Sequence, residues 1–156
     1  MLQLKKDKDG NILDTSLKYQ YLIDEQNISS PCPSKCKPVN LVAYRFVEST
    51  TINSDQFLPT VIEDKKNNIT RRSNDEAVKC LKCAISLFNS EENAVKKLKL
   101  LSTRLKEKWT KNYIAKGKLE EEDGLTSAPD SQGHFSFYEY NNSEYLSKFA
   151  VVRRAL

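Results

Sequence analysis

The fold follows from residues 84–109, AISLFNSEENAVKKLKLLSTRLKEKW. The first five of these residues predict a strand, and NSEE at positions 89–92 is a capping signal that opens a helix. The apolar positions beyond the cap keep the three- and four-residue spacing of one helix face. They are Ala94, Leu98, Leu101, Leu105 and Trp109. We therefore predict a strand that leads into the longest helix of the chain, with Trp109 as a core anchor.

The rest of the chain mixes strands and helices without regular alternation. Strands are predicted at 41–47, 113–119, 134–140 and 151–152, and shorter helices at 74–83 and 143–149. Residues 57–62 contain Pro59 and predict an edge strand or a helix start, while 64–72 and 120–133 predict loops. This order favours an α+β fold: a small, mainly antiparallel sheet with one long amphipathic helix and one or two shorter helices.

The composition divides the chain into an arm and one domain. Its 156 residues suit a single domain. Residues 1–38 differ from the rest, because a hairpin signal (Leu2-Gln3-Leu4, a turn at 8–11, then Ile12-Leu13) precedes a segment rich in proline and cysteine. We predict an N-terminal arm at 1–38 and a single α+β domain at 39–156.

The arm carries a short apolar patch that predicts a contact with a protein partner or with the domain itself. The patch consists of Tyr19, Tyr21, Leu22 and Ile23. An apolar patch beside a proline-rich break often packs on another surface, so we predict that a partner protein covers it.

Positive charge is concentrated in one segment. The formal net charge is only +4, yet between positions 96 and 118 the sole acid is Glu107. Basic residues on the solvent side of the long helix predict weak contact with nucleic-acid phosphate, or an ordinary solvated helix face. These residues are Lys96, Lys99, Arg104, Lys106 and Lys108. The acidic run at 120–123 could fold back over them.

The four cysteines form two closely spaced pairs, Cys32 with Cys36 and Cys80 with Cys83. Two such pairs can bind a structural zinc ion through four thiolates in a tetrahedral site, and we expect no other cofactor. Unpaired buried thiols are the alternative. A disulfide is disfavoured, because the charged N-terminus lacks the apolar segment of a secretory signal, which also predicts a cytoplasmic protein.

Three residues on predicted strands raise the question of an enzyme. Arg45, Ser86 and Glu139 occur in this order, and the chain here resembles ADP-ribosyltransferases of the Arg-Ser-Glu type. The resemblance implies that Arg45 meets a dinucleotide phosphate, Ser86 orders a nicotinamide pocket and Glu139 stabilises an oxocarbenium-like state. If the three residues have no catalytic role, we expect Arg45 to pair with an acid, Ser86 to be an ordinary strand hydroxyl and Glu139 to face solvent. His134, the one histidine, ends a polar loop where binding residues often lie.

These patterns favour a non-catalytic binding or accessory module of an intracellular multi-protein assembly, with nucleic-acid handling left open. A nucleotide-dependent transferase and a small zinc-stabilised nucleic-acid-binding protein are the alternatives. A Rossmann or P-loop enzyme is disfavoured, because the chain has no glycine-rich phosphate loop of either kind. No stretch approaches 18 apolar residues, so we expect no membrane contact.

Overall fold

The computed structural model describes residues 5–70 and 73–156. Its centre is a six-stranded sheet in the order β4-β5-β2-β1-β3-β6, and every pairing is antiparallel. The strands are β1 (Leu41–Val47), β2 (Ile85–Phe88), β3 (Tyr113–Leu119), β4 (Gly124–Thr126), β5 (His134–Glu139) and β6 (Ala150–Arg154). The predicted α+β class with an antiparallel sheet is therefore confirmed.

Within the described residues, one long helix and three short ones accompany the sheet. They are α1 (Gln20–Glu25), α2 (Thr60–Lys66), α3 (Glu76–Leu81) and α4 (Glu91–Leu105), with single 3₁₀ turns at Ser54–Gln56, Lys106–Lys108 and Tyr145–Lys148. Pro59 precedes a helix rather than occupying an edge strand, and the loop predicted at 120–133 contains β4. In the described ranges, no helix has the length and apolar character needed to cross a membrane.

Helix α4 begins and ends for identifiable reasons. The Ser90 hydroxyl accepts a hydrogen bond from the Asn93 amide at 3.1 Å, as the capping signal predicts. The helix stops at Leu105, because Lys106 has a φ of 52° and reverses the chain. Trp109 consequently lies beyond the helix and packs against Phe46 with ring centroids 5.4 Å apart. The predicted stripe is correct for its first half, but Leu105 is 37% exposed.

Helix α3 begins at Glu76 rather than at position 74 and ends at Leu81 rather than at position 83. Ser73 and Glu76 have the spacing of a capping box, but they do not cap the helix. Asp75 caps it instead, accepting from the Ala77 amide at 2.9 Å. Glu76, the expected capping partner of Ser73, accepts hydrogen bonds from the amides and hydroxyls of Ser29 and Ser30. The Glu76 carboxylate therefore binds residues of the N-terminal arm and is not available to cap its own helix.

The two faces of the sheet are covered by different elements. Strand β1 places Ala43 and Val47 on one face, within a core that contains Phe57, Phe137 and Phe149. It places Tyr44 and Phe46 on the other face, where Ala94 and Leu98 of α4 pack over Phe88 and Ile114. Alternation along a strand forces this division, because successive side chains point to opposite faces.

The arm packs on the domain through a third cluster. Leu22 and Ile23 are buried with Cys83, Ala84 and Tyr138. Isolated bridges join Leu17 to Tyr140 and Lys37 to Thr126, so the arm also pairs with β4 at the sheet edge.

The predicted hairpin of the arm is present in part. A bridge joins Lys6 to Ile12 around Gly10, whose φ is 82°. Its first apolar segment, Leu2-Gln3-Leu4, lies outside the described residues.

The packing of α4 gives a direct test on one helix. Leu98 is fully buried, whereas Leu100 is 52% exposed. Leu98→Ala should lower the free energy of unfolding by about 2–5 kcal/mol, because it removes a buried side chain and leaves a cavity. Leu100→Ala, the matched control, should change it by no more than about 0.5 kcal/mol. Urea denaturation measures both, and equal effects would contradict this packing.

Candidate functional site

A positively charged surface lies on the solvent side of α4 and on the turn that follows it. All five basic residues predicted to contact phosphate are exposed: Lys96, Lys99, Arg104, Lys106 and Lys108. No ion pair with an acidic side chain is recorded for any of them within residues 5–70 and 73–156. We call these five residues the basic face.

The basic face exists because of how α4 packs. Ala94, Val95 and Leu98 are its buried residues, and a helix turns about 100° per residue. Lys96 and Lys99 are therefore directed away from the sheet. The chain reversal at Lys106 then keeps the following turn in solvent, so the positive charge continues past the end of the helix.

The acidic run at 120–123 is largely neutralised elsewhere. Asp123 is buried and accepts hydrogen bonds from Lys148, from the Ser143 hydroxyl at 2.9 Å and from the Glu120 amide at 2.7 Å. Glu120 also pairs with Lys148 at 3.7 Å, and Glu122 pairs with Lys8 at 3.7 Å. These acids are thus engaged with other cations, and the basic face keeps its charge.

Arg45 is buried in a structural ion cluster. It is 4% exposed, and its guanidinium donates to the carbonyls of Gln56 at 2.7 Å and Ser86 at 2.8 Å and to the Glu63 carboxylate at 2.7 Å. Lys111 pairs with the same carboxylate. Burial opposes ionisation of Glu63, but the charges of Arg45 and Lys111 outweigh it and lower its pKa. A guanidinium held by three acceptors has little capacity left for a dinucleotide phosphate.

Ser86 lies on the opposite face of the sheet from Arg45. Its neighbours Ile85 and Leu87 belong to the core that surrounds Phe57, so the Ser86 side chain points to the α4 side. There its hydroxyl is hydrogen-bonded to Nε2 of His134. Arg45, Ser86 and Glu139 therefore do not converge in one cleft, and the resemblance to ADP-ribosyltransferases loses its geometric support.

Glu139 is buried rather than solvent-facing. It lies on the same face as Phe137, and the ammonium of Lys18, from the arm, is 3.8 Å from its carboxylate. Burial raises its pKa to about 7, with Lys18 opposing the rise and Asp123 adding to it. The sequence carried no signal for the pairing with Lys18, because the two residues are far apart in the chain.

The cysteines join the arm to the domain. Cys32 and Cys80 form a disulfide with Cα atoms 5.7 Å apart, which is within the usual range. The expectation that disulfides are disfavoured is wrong for this pair. Spacing along the chain cannot reveal it, because the bond links one residue from each predicted pair.

The remaining two cysteines are free thiols. Burial raises the pKa of Cys36, and burial together with Glu25 raises that of Cys83 to about 11. Among the described residues, no group of three or more metal-binding side chains could hold an ion. The four-cysteine zinc site is therefore not what the structure contains.

The predicted partner-binding patch is mostly satisfied within the chain. Leu22 and Ile23 are buried against the domain, and Tyr19 is half-buried. Tyr21, at 51% exposure, is the most accessible member of the patch. The domain itself thus supplies most of the burial that we expected from a partner.

Comparison with family models, with curated proteins and with solved structures finds no match for this chain. The chemistry of its own side chains is therefore the basis for proposing a function.

The disulfide predicts a stability difference that depends on redox conditions. Closing a loop of 48 residues should stabilise the fold, so Cys80→Ser should lower the free energy of unfolding by about 2–5 kcal/mol without reductant. The difference in unfolding free energy between the variant and wild type should shrink when a reductant breaks the disulfide of the wild-type protein. Cys36→Ser, which alters a free thiol, is the matched control. Urea denaturation with and without a phosphine reductant measures this, and an unchanged deficit after reduction would contradict the bond.

Glu139 predicts a pH dependence of stability. Its pKa rises from 4.5 in the unfolded chain to about 7 in the fold, so the folded state keeps a proton that the unfolded state loses. Stability should therefore fall as pH rises through this window, by up to about 1.4 kcal/mol per pH unit. Glu139→Gln mimics the protonated form, so its free energy of unfolding should rise relative to that of wild type as the pH increases from 4.5 to 8. A gap between the two proteins that does not change with pH would contradict this assignment.

Proposed function

We propose that this protein is a binding module of a larger assembly and that it contacts the phosphate backbone of nucleic acid through the basic face. The single observation that carries the proposal is the exposure of five basic side chains for which no acidic partner is recorded in the described parts of the chain. Clustered lysine and arginine side chains provide the sequence-independent part of nucleic-acid affinity by releasing counterions.

The chemistry of the basic face favours backbone contact over base recognition. Four of its five members are lysines, which act as point charges, and Arg104 is the one guanidinium that could bind a phosphate through two parallel hydrogen bonds. Such contacts position a protein on nucleic acid and carry no sequence information. Sequence selectivity would then come from another subunit of the assembly.

The two alternative functions have less support. The zinc-stabilised alternative needs four cysteines around one ion, yet two of them are joined in a disulfide. The transferase alternative needs Arg45, Ser86 and Glu139 in one cleft, yet Ser86 faces away from Arg45. The basic face depends on neither arrangement.

Salt dependence provides the test. The dissociation constant of a fluorescent 20-base-pair duplex would be measured by polarisation at several salt concentrations. If the basic face contacts phosphate, Lys99→Gln, Arg104→Gln and Lys106→Gln together should flatten the log–log slope by about 0.9 per lost contact. Thermal stability should barely change, because exposed charges contribute little to folding.

A matched control removes the same charge elsewhere. Lys5, Lys65 and Lys66 are exposed and lie off the basic face, and changing all three to glutamine gives the same net charge as the first variant. The control should keep the wild-type slope. The proposal would be overturned if wild type does not bind the duplex at low salt, or if both triple variants flatten the salt slope equally. A protein partner would then be the better explanation of the basic face.

A further inference from the structure

A serine, a histidine and an aspartate lie next to one another, in that order, on the α4 side of the sheet. The Ser86 hydroxyl is hydrogen-bonded to Nε2 of His134, and Nδ1 of His134 lies 3.8 Å from a carboxylate oxygen of Asp130. The Ser86–His134 pair meets the hydrogen-bond condition for an activated nucleophile, and Asp130, at 3.8 Å, is beyond hydrogen-bond distance of Nδ1 but near enough to favour a proton there. We infer that Ser86 is a nucleophile that His134 activates, and that it accepts acyl groups from small esters.

The sheet register creates this arrangement. Phe88 of β2 lies opposite His134 of β5, and Ser86 lies opposite Ser136. Ser86 and His134 are therefore diagonal neighbours on one face, a separation that an imidazole ring can span. The loop before β5 then returns Asp130 to the far side of the ring.

The imidazole is held in place on several sides. Its ring meets the Phe88 ring edge-on, with centroids 5.5 Å apart. The Asp130 carboxylate accepts hydrogen bonds from the backbone amides of His134 at 3.0 Å and Gln132 at 2.9 Å, so it is fixed beside Nδ1. These contacts place Nε2 on the Ser86 hydroxyl, and Asp130 acts as a positioning residue.

Burial, more than the nearby charges, favours the neutral, basic form of His134. Burial lowers the pKa of His134, Asp130 opposes the shift, and the positive charges of Lys97 and Arg45 add to the lowering. The residues whose charges reach the ring thus come from α4, β1 and its own loop. In the neutral tautomer that carries its proton on Nδ1, Nε2 offers the lone pair that a general base requires.

The site is accessible and shallow. The His134 side chain is 34% exposed, and Ser86 is half-buried beside it. Larger ligands rely on concave sites that bury most of their surface, so the proposal is restricted to small acyl groups. The positive charge of Lys97 reaches the His134 ring, and in this proposal the same charge stabilises the negative charge that develops on the carbonyl oxygen.

The reaction balances with water as the only co-reactant. The Ser86 oxygen forms a bond to the ester carbonyl carbon while its proton passes to Nε2 of His134. The bond from that carbon to the alkoxy oxygen then breaks, and the leaving alcohol takes the proton from His134. Water hydrolyses the acyl-serine by the same proton transfers, which releases the carboxylic acid and restores the hydroxyl.

A fluorophosphonate probe tests the inference on the whole protein. Phosphonylation forms an oxygen–phosphorus bond at the serine and expels fluoride, so intact mass reports it and peptide mapping locates it. We expect Ser86 to be labelled and His134→Gln to slow labelling by about 10²–10⁴-fold. Ser136→Ala, a change at the serine directly opposite, is the matched control and should keep the wild-type rate. Labelling should also slow on acidification as His134 becomes protonated.

Peptide mapping of wild type keeps the test valid even if a variant fails to fold. The inference is overturned if the probe leaves the protein unmodified, labels a different serine, or labels Ser86 at the same rate in folded His134→Gln. Release of p-nitrophenol from p-nitrophenyl acetate gives a second readout. It should fall with Ser86→Ala, and an unchanged rate in that variant would also overturn the inference. Neither readout depends on the basic face, so the nucleic-acid proposal can fail without affecting this one.

Discussion

The buried guanidinium of Arg45 connects four parts of the chain that are distant in sequence. From β1 it reaches the carbonyl of Gln56 in the turn after β1, the carbonyl of Ser86 in β2 and the carboxylate of Glu63 in α2. Lys111, just before β3, completes the cluster at Glu63. Buried charges are costly unless they are paired and hydrogen-bonded, so each partner must stay in place. The cluster thereby ties α2 and its connections to the centre of the sheet.

This arrangement leaves different chemistry on the two faces of the sheet. The Arg45 face is filled by aromatic side chains and by the ion cluster. The α4 face is only partly covered by its helix. The basic face and the Ser86–His134 pair both lie on this second side, which is why both proposals arise from it. They depend on different residues and can be tested separately.

The arm is part of the fold rather than an appendage. Three kinds of contact hold it on the domain: the disulfide between Cys32 and Cys80, the burial of Leu22 and Ile23, and the hydrogen bonds that Glu76 accepts from the arm. The composition changes near position 38, which is the basis for the predicted arm. This change does not mark a boundary in packing, because apolar side chains are buried wherever a complementary surface is available.

Local pattern in the sequence determined the α+β class, the bounds of β3, the start of α4 at its serine cap and the exposure of the basic face. Each of these depends on neighbours within a few residues, through strand alternation, helix periodicity or capping. Only the tertiary structure decided the pairing of Cys32 with Cys80, the use of Glu76 by the arm, the burial of Glu139 and the approach of His134 to Ser86. Each of these joins residues that are between 46 and 121 positions apart in the chain. Their contacts depend on sheet register and on the path of the arm, and no local spacing in the sequence contains that information.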